Sequence, residues 1–225
     1  MRSPVGPSPP PLRLHGGGEF RRRLAVAFGR PEAAGDVVWR RLVHASGALI
    51  LVYYLFPVDF FVVLPKEDVL LLALAAGFVL EVLRLRAGVE LPAIRAYELR
   101  RPASYLFYAV GLVIAVLLFP EGIAAAVVLG TALVDPLAGE LRSDPRFRRW
   151  SLAGPLGAYV ALAATSLAVV GRWPLGFAVA LGVAAAVAAV GVERWRFRWL
   201  DDDLTMTVVP ALLLLGAAVA FGLPR

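Results

Sequence analysis

The chain has 225 residues, 60% of them hydrophobic, with a mean hydropathy of +0.74 and a formal charge of +6 from 23 basic and 17 acidic residues. Cysteine is absent and the only histidines are His15 and His44, which excludes disulfides, thiolate nucleophiles, Cys-ligated metal centres and a His-rich metal site. A soluble domain is nearer half apolar, and here the excess lies in long blocks, so the chain reads as an all-α, multi-pass membrane protein.

Residues 1–36 differ in composition from the rest of the chain. Pro4, Pro7, Pro9–Pro11 and Gly16–Gly18 describe a flexible, basic arm, with no apolar core after Arg2 that would make it a signal peptide. Glu19–Arg30 has the pattern of a short basic amphipathic helix suited to an anionic lipid surface. His15 with Gly16–Gly18 lacks any Gly-x-Ser-x-Gly elbow elsewhere and reads as linker.

From residue 37 to 225 there are seven apolar blocks of roughly spanning length: Leu42–Val63, Asp68–Leu83, Ser104–Phe119, Gly122–Gly139, Leu152–Val170, Pro174–Val192 and Leu204–Phe221. Pro57 predicts that the first helix kinks or ends near Phe56. In the fifth and sixth blocks Gly154, Gly157, Ala158, Ala161 and the small residues from Gly182 to Gly191 predict close helix packing.

Orientation follows from arginine. Twenty of the 23 basic residues lie before the first block or after the second, fourth and sixth; the others are Lys66, Arg172 and Arg225. The positive-inside rule then predicts a cytoplasmic N-terminus and an outer C-terminus, with Trp39, Trp150, Trp173, Trp195 and Trp199 at the interfaces of a multi-pass protein of the cell membrane.

Acidic groups contribute little to orientation, yet they too are biased to the cytoplasmic side. Arg40, Arg41 and His44 open the first block, and Glu81 and Arg84 close the second on one helical face. Glu90, Glu98, Arg100 and Arg101 fill the next loop. Asp135, just before Pro136, and Glu140 close the fourth, and Glu193 and Asp201–Asp203 precede the seventh. Carboxylates of this kind hold Mg²⁺ together with phosphate oxygens, and arginines neutralise the remaining phosphate charge. Simpler roles are also open: Asp203 as N-cap of the last helix, Glu81–Arg84 as an interfacial ion pair, and His44 as an interfacial histidine. Asp135, inside an apolar block, is the strongest functional candidate.

Four segments in order resemble the polyprenol kinase family, which includes dolichol and phytol kinases. They are Arg40-Arg41-x-x-His44-x-x-Gly47, Glu98-Leu99-Arg100-Arg101 before Ser104-Tyr105, Asp135-Pro136-Leu137-Ala138-Gly139, and Glu193 with the later run Asp201-Asp202-Asp203-Leu204-Thr205. The chain departs from the family pattern at Val134 (usually Gly), Asp203 (usually Asn) and Ala153 (usually an acid). The resemblance implies a kinase that phosphorylates a lipid alcohol, with CTP as donor and Mg²⁺ as cofactor. It implies His44, Glu98 and Asp135 as catalytic groups, Arg41, Arg100, Arg101, Gly139 and Thr205 around the nucleotide phosphates, and Asp135 and Asp201–Asp203 as metal ligands. Glu81, Arg84, Glu140 and Glu193 support them. The expected partners are the lipid alcohol and a nucleoside triphosphate, and no nucleic acid. The alternative is a small-molecule transporter or a non-catalytic membrane scaffold, although no internal repeat of the transporter kind is present.

Overall fold

The computed structural model describes residues 33–57, 64–88, 98, 101–195 and 201–224, and among these the only regular secondary structure is helical. The α-helices are α1 (Ala33–Ser46), α2 (Lys66–Ala87), α3 (Ser104–Leu118), α4 (Glu121–Ser143), α5 (Ala153–Val169), α6 (Leu175–Trp195) and α7 (Asp202–Phe221). A 3-10 helix, Gly47–Leu55, continues α1, and a short one, Arg148–Trp150, lies between α4 and α5. The second to seventh predicted apolar blocks each overlap one α-helix, while the first, Leu42–Val63, runs from the end of α1 through the first 3-10 helix and its residues 58–63 lie outside the described residues. The N-terminal arm expected over 1–36 lies outside the described residues up to 32, and α1 has already begun at Ala33.

Local chemistry sets the helix ends. The first segment stops at Phe56, whose extended backbone (φ −82°, ψ 131°) is what a following proline imposes. Proline also precedes α2, α4 and α6, where the carbonyls of Pro65, Pro120 and Pro174 accept the first helical bonds from Val69, Ala124 and Ala178 at 3.2, 2.9 and 2.9 Å. Gly88 and Gly222, both left-handed, close α2 and α7.

Among the described residues three helices, α4, α6 and α7, are long and apolar enough to cross a membrane. With 15 and 17 residues, α3 and α5 are about 22 and 25 Å long, short of a hydrocarbon layer of about 30 Å. In α2, charged residues occupy both ends of the 22-residue helix and shorten its apolar middle.

The bundle is built around α4, which packs on α1, the first 3-10 helix, α3, α5 and α7. Its apolar stretch is 67% buried against 28% for α6, so α4 is the central helix and α6 a peripheral one. In α6 Gly182, Ala185, Ala186 and Ala189 are buried, as close packing requires, whereas in α5 Gly157 and Ala161 are exposed and the buried small residues are Ala163 and Ala164. Outward, α2 presents Leu71, Leu72, Phe78 and Leu80, and α6 presents Phe177, Val183 and Val187, an apolar surface suited to lipid. Helices already in lipid gain little from burying such groups, so association rests on close packing and interhelical hydrogen bonds. Thr207 of α7 makes one of these, donating to the Thr131 hydroxyl of α4 at 3.2 Å with both residues fully buried.

Polar contacts gather at the two ends. At one end the Tyr53 hydroxyl donates to Glu67 (2.8 Å), Lys66 to the Phe56 carbonyl (3.1 Å), Tyr54 to the Val116 carbonyl (3.0 Å) and Trp173 to the Pro224 carbonyl (2.8 Å). Here α4 also meets the end of α5, with Gly122 against Gly171: a Cβ on Gly122 would lie 2.5 Å from the Gly171 Cα. Because that neighbour is backbone, Gly122→Ala should destabilise the bundle by about 1–3 kcal/mol. Gly157→Ala, whose Cβ meets nothing within 4 Å, should be neutral or stabilising. Equilibrium unfolding of the two variants in mixed micelles checks the contrast.

Candidate functional site

At the opposite end, α1, α4 and α7 converge on a buried histidine. His44, near the C-terminus of α1, has Nδ1 3.6 Å from Asp135 Oδ2 of α4 and Nε2 3.8 Å from Asp203 Oδ2 in the first turn of α7. Only 5% of His44 is exposed, and 9% of Asp203. The donor atoms of the three side chains lie within 4.8 Å of one another, close enough to hold one metal ion.

The imidazole is held in place from α3. Tyr108 stacks on it with ring centroids 4.5 Å apart and 24° between planes, and its hydroxyl donates to the His44 carbonyl at 2.7 Å. Gly47 makes room for this contact, since a Cβ there would lie 2.1 Å from the Tyr108 hydroxyl oxygen. On α4, Asp135 precedes Pro136, which cannot donate to the carbonyl four residues back and loosens the helix beside the carboxylate.

Asp201, Asp202 and Asp203 form a second possible donor group that shares Asp203 with the first. Their local role corrects an expectation: the N-cap of α7 is Asp201, whose side chain accepts the Asp203 N–H at 3.1 Å. Asp201 has the extended backbone of a cap (φ −68°, ψ 142°), whereas Asp203 is already within the first turn and directs its carboxylate to His44. Thr205, expected near phosphate, donates its hydroxyl to the Asp201 and Asp202 carbonyls at 3.2 and 3.1 Å, back along its own helix.

Arg41, one turn before His44, pairs with Glu140 of α4. Gly139 lies beneath this pair, with a Cβ there 3.9 Å from the Arg41 guanidinium nitrogens.

Glu81, Arg84 and Glu98 make a separate assembly that joins α2 to the start of α3. Arg84 donates to both Glu81 carboxylate oxygens at 2.8 Å and to the carbonyls of Glu98 and Arg101 at 3.0 Å. Glu81 also accepts the Ala103 N–H at 2.7 Å and the Tyr105 hydroxyl. The Glu98 carboxylate accepts the Ser104 N–H at 3.2 Å, next to the favourable positive end of α3. Glu98, expected to be catalytic, thus has a demonstrable structural contact at a helix start. Arg100 lies outside the described residues, as does the side chain of Glu193 in the last turn of α6.

The residue that sequence reading passed over is Tyr108. Its signal was present: Tyr105 and Tyr108, three apart in an apolar helix, put two hydroxyls on one face near the helix start.

No protein-family model, curated protein or solved structure matches the chain. Fold and site therefore define its class: an α-helical bundle of membrane character with a histidine–carboxylate cluster at one end.

Because Glu81 and Arg84 are both nearly inaccessible, removing one leaves the other buried and uncompensated. Glu81→Ala should cost about 3–5 kcal/mol, measured by unfolding in mixed micelles, and the double variant Glu81→Gln, Arg84→Met should recover a large part of the loss.

Proposed function

We propose that the chain is a multi-pass kinase of the cell membrane that transfers a phosphoryl group from CTP to a polyprenol-type lipid alcohol at the cytoplasmic face. In this reading all seven helical segments cross the bilayer, with the N-terminus in the cytoplasm and the C-terminus outside. The observation that carries it is the meeting of His44, Asp135 and Asp203 from three helices at one end of an apolar bundle. Three of the four segments that resemble the polyprenol kinases supply those residues: His44 the first, Asp135 the third and Asp203 the last.

The chemistry suits such a place. Phosphoryl transfer needs positioning and charge neutralisation more than covalent help. The alcohol oxygen bonds to the γ-phosphorus as the bond to the β–γ bridging oxygen breaks; CDP departs, and the hydroxyl proton passes to a carboxylate of the site. The alcohol's tail stays between helices and lipid while its hydroxyl reaches the polar end. In this reading the guanidinium groups of Arg41 and Arg101 meet phosphate oxygens, for which their geometry is well matched, Arg41 exchanging its Glu140 partner for phosphate. Asp135 with Asp203, and Asp203 with Asp201 and Asp202, are suited by charge and mutual distance to a divalent cation. Such a cation, Mg²⁺ in the family resemblance, would be held by these carboxylates and would supply positive charge to offset that on the phosphates.

Purified protein in lipid, given γ-labelled CTP, ATP or UTP, Mg²⁺ and isoprenoid alcohols of increasing length, should yield labelled lipid from CTP. Asp135→Asn should lower transfer at least 100-fold, about 2.7 kcal/mol in barrier. The absence of both transfer and nucleotide binding would remove the kinase reading in favour of a carrier or scaffold. The absence of cysteine allows a direct test of topology: in cells, Ser143→Cys should be shielded from an impermeant thiol reagent and Glu121→Cys labelled.

A further inference from the structure

We infer that the turn between α4 and α5, residues 144–152, binds the headgroups of anionic phospholipids, with Arg146, Arg148 and Arg149 on the phosphates and Phe147, Trp150 and Leu152 dipping into the acyl boundary. The inference stands apart from the His44 cluster and from the kinase reading.

Three observations support it. The first is place: α4 is long and apolar enough to cross a membrane, so the turn after Ser143 lies where such a helix leaves the hydrocarbon. The second is shape. The N–H groups of Phe147 and Trp150 donate to the carbonyls of Asp144 and Phe147 at 3.1 and 2.8 Å, a 3-10 pattern in which residues three apart line up. Phe147 and Trp150 therefore share one side of the turn, 48% and 51% exposed, and Leu152 follows at 43%. Exposed aromatic rings of this kind are favoured at the level of lipid headgroups. The third is charge. Asp144 is the only acid from Leu141 to Leu152, and its carboxylate accepts the Arg146 backbone N–H at 2.9 Å. Among the described residues no carboxylate pairs with the side chains of Arg146, Arg148 or Arg149. The Arg149 guanidinium lies over the Trp150 ring, 5.8 Å from its centroid, so cation and aromatic face are presented together. Guanidinium groups match phosphate oxygens bidentately. Each one close to an anionic surface strengthens binding about fivefold, a gain that a headgroup without net charge does not offer.

The test uses the full, unaltered chain in phosphatidylcholine nanodiscs that hold a minority of phosphatidylglycerol. A trace of either lipid carries a photoreactive diazirine on its headgroup. Light-induced adducts, located by mass spectrometry of the digested chain, should fall on residues 144–152 at least about fivefold more often with the phosphatidylglycerol probe than with the phosphatidylcholine probe. Raised salt should narrow that ratio. Arg146→Gln, Arg148→Gln and Arg149→Gln together should bring it close to one. Phe147→Ser with Trp150→Ser should lower the adduct yield several-fold although no charge changes, and Arg172→Gln, at the other end of the bundle, should alter neither. Equal labelling of residues 144–152 by the two probes in the unaltered chain, or phosphatidylglycerol adducts only elsewhere, overturns the inference without any variant having to fold. Loss of the adducts on adding inorganic phosphate at constant ionic strength overturns it too, because free phosphate would then be the occupant.

Discussion

A buried imidazole with a carboxylate facing each of its nitrogens is the constraint around which this molecule is arranged. None of the three groups is at ease alone in an apolar bundle, and each comes from a different helix. Bringing them together fixes the depth of α1 against α4 and of α7 against α4. It also brings the start of α3 alongside, because Tyr108 covers the ring and Gly47 must give it space. Polar side chains thus supply the register that apolar packing in lipid specifies only weakly.

The Glu81–Arg84 assembly solves a different problem with the same chemistry. Ahead of α3, the backbone carbonyls of Glu98 and Arg101 need donors. Arg84 supplies them to Glu98 and Arg101, while Glu81 takes the Ala103 N–H at the start of α3. Each charge satisfies the backbone as well as its partner, which suits a nearly inaccessible ion pair. The two assemblies meet through α3, since Tyr105 contacts Glu81 and Tyr108 contacts His44.

Much of this architecture was legible in the sequence because it rests on local rules. Apolar block length located the helices, Pro57 the end of the first segment, and the i, i+3 spacing the Glu81–Arg84 pair. The sidedness of the acids anticipated that His44, Asp135 and Asp203 share one end. What spacing could not express was contact between helices: the Tyr108 stack, the Thr131–Thr207 bond, and the pairing of Arg41 with Glu140 depend on how helices are rotated about their axes. Capping was misassigned by two residues at Asp201–Asp203 because three consecutive aspartates offer the same side chain at each position, and only backbone geometry distinguishes them.

The passage from α1 into a 3-10 helix at Gly47 bears on how the thickness of an apolar layer is counted. At about 2.0 Å per residue, the nine residues Gly47–Leu55 extend about 18 Å, where an α-helix would need twelve. Rules that tally residues treat this segment as too short for the distance it covers. A stretched coil thus gains reach at the expense of hydrogen-bond quality, and the ruler for this chain is its backbone rise rather than its letter count.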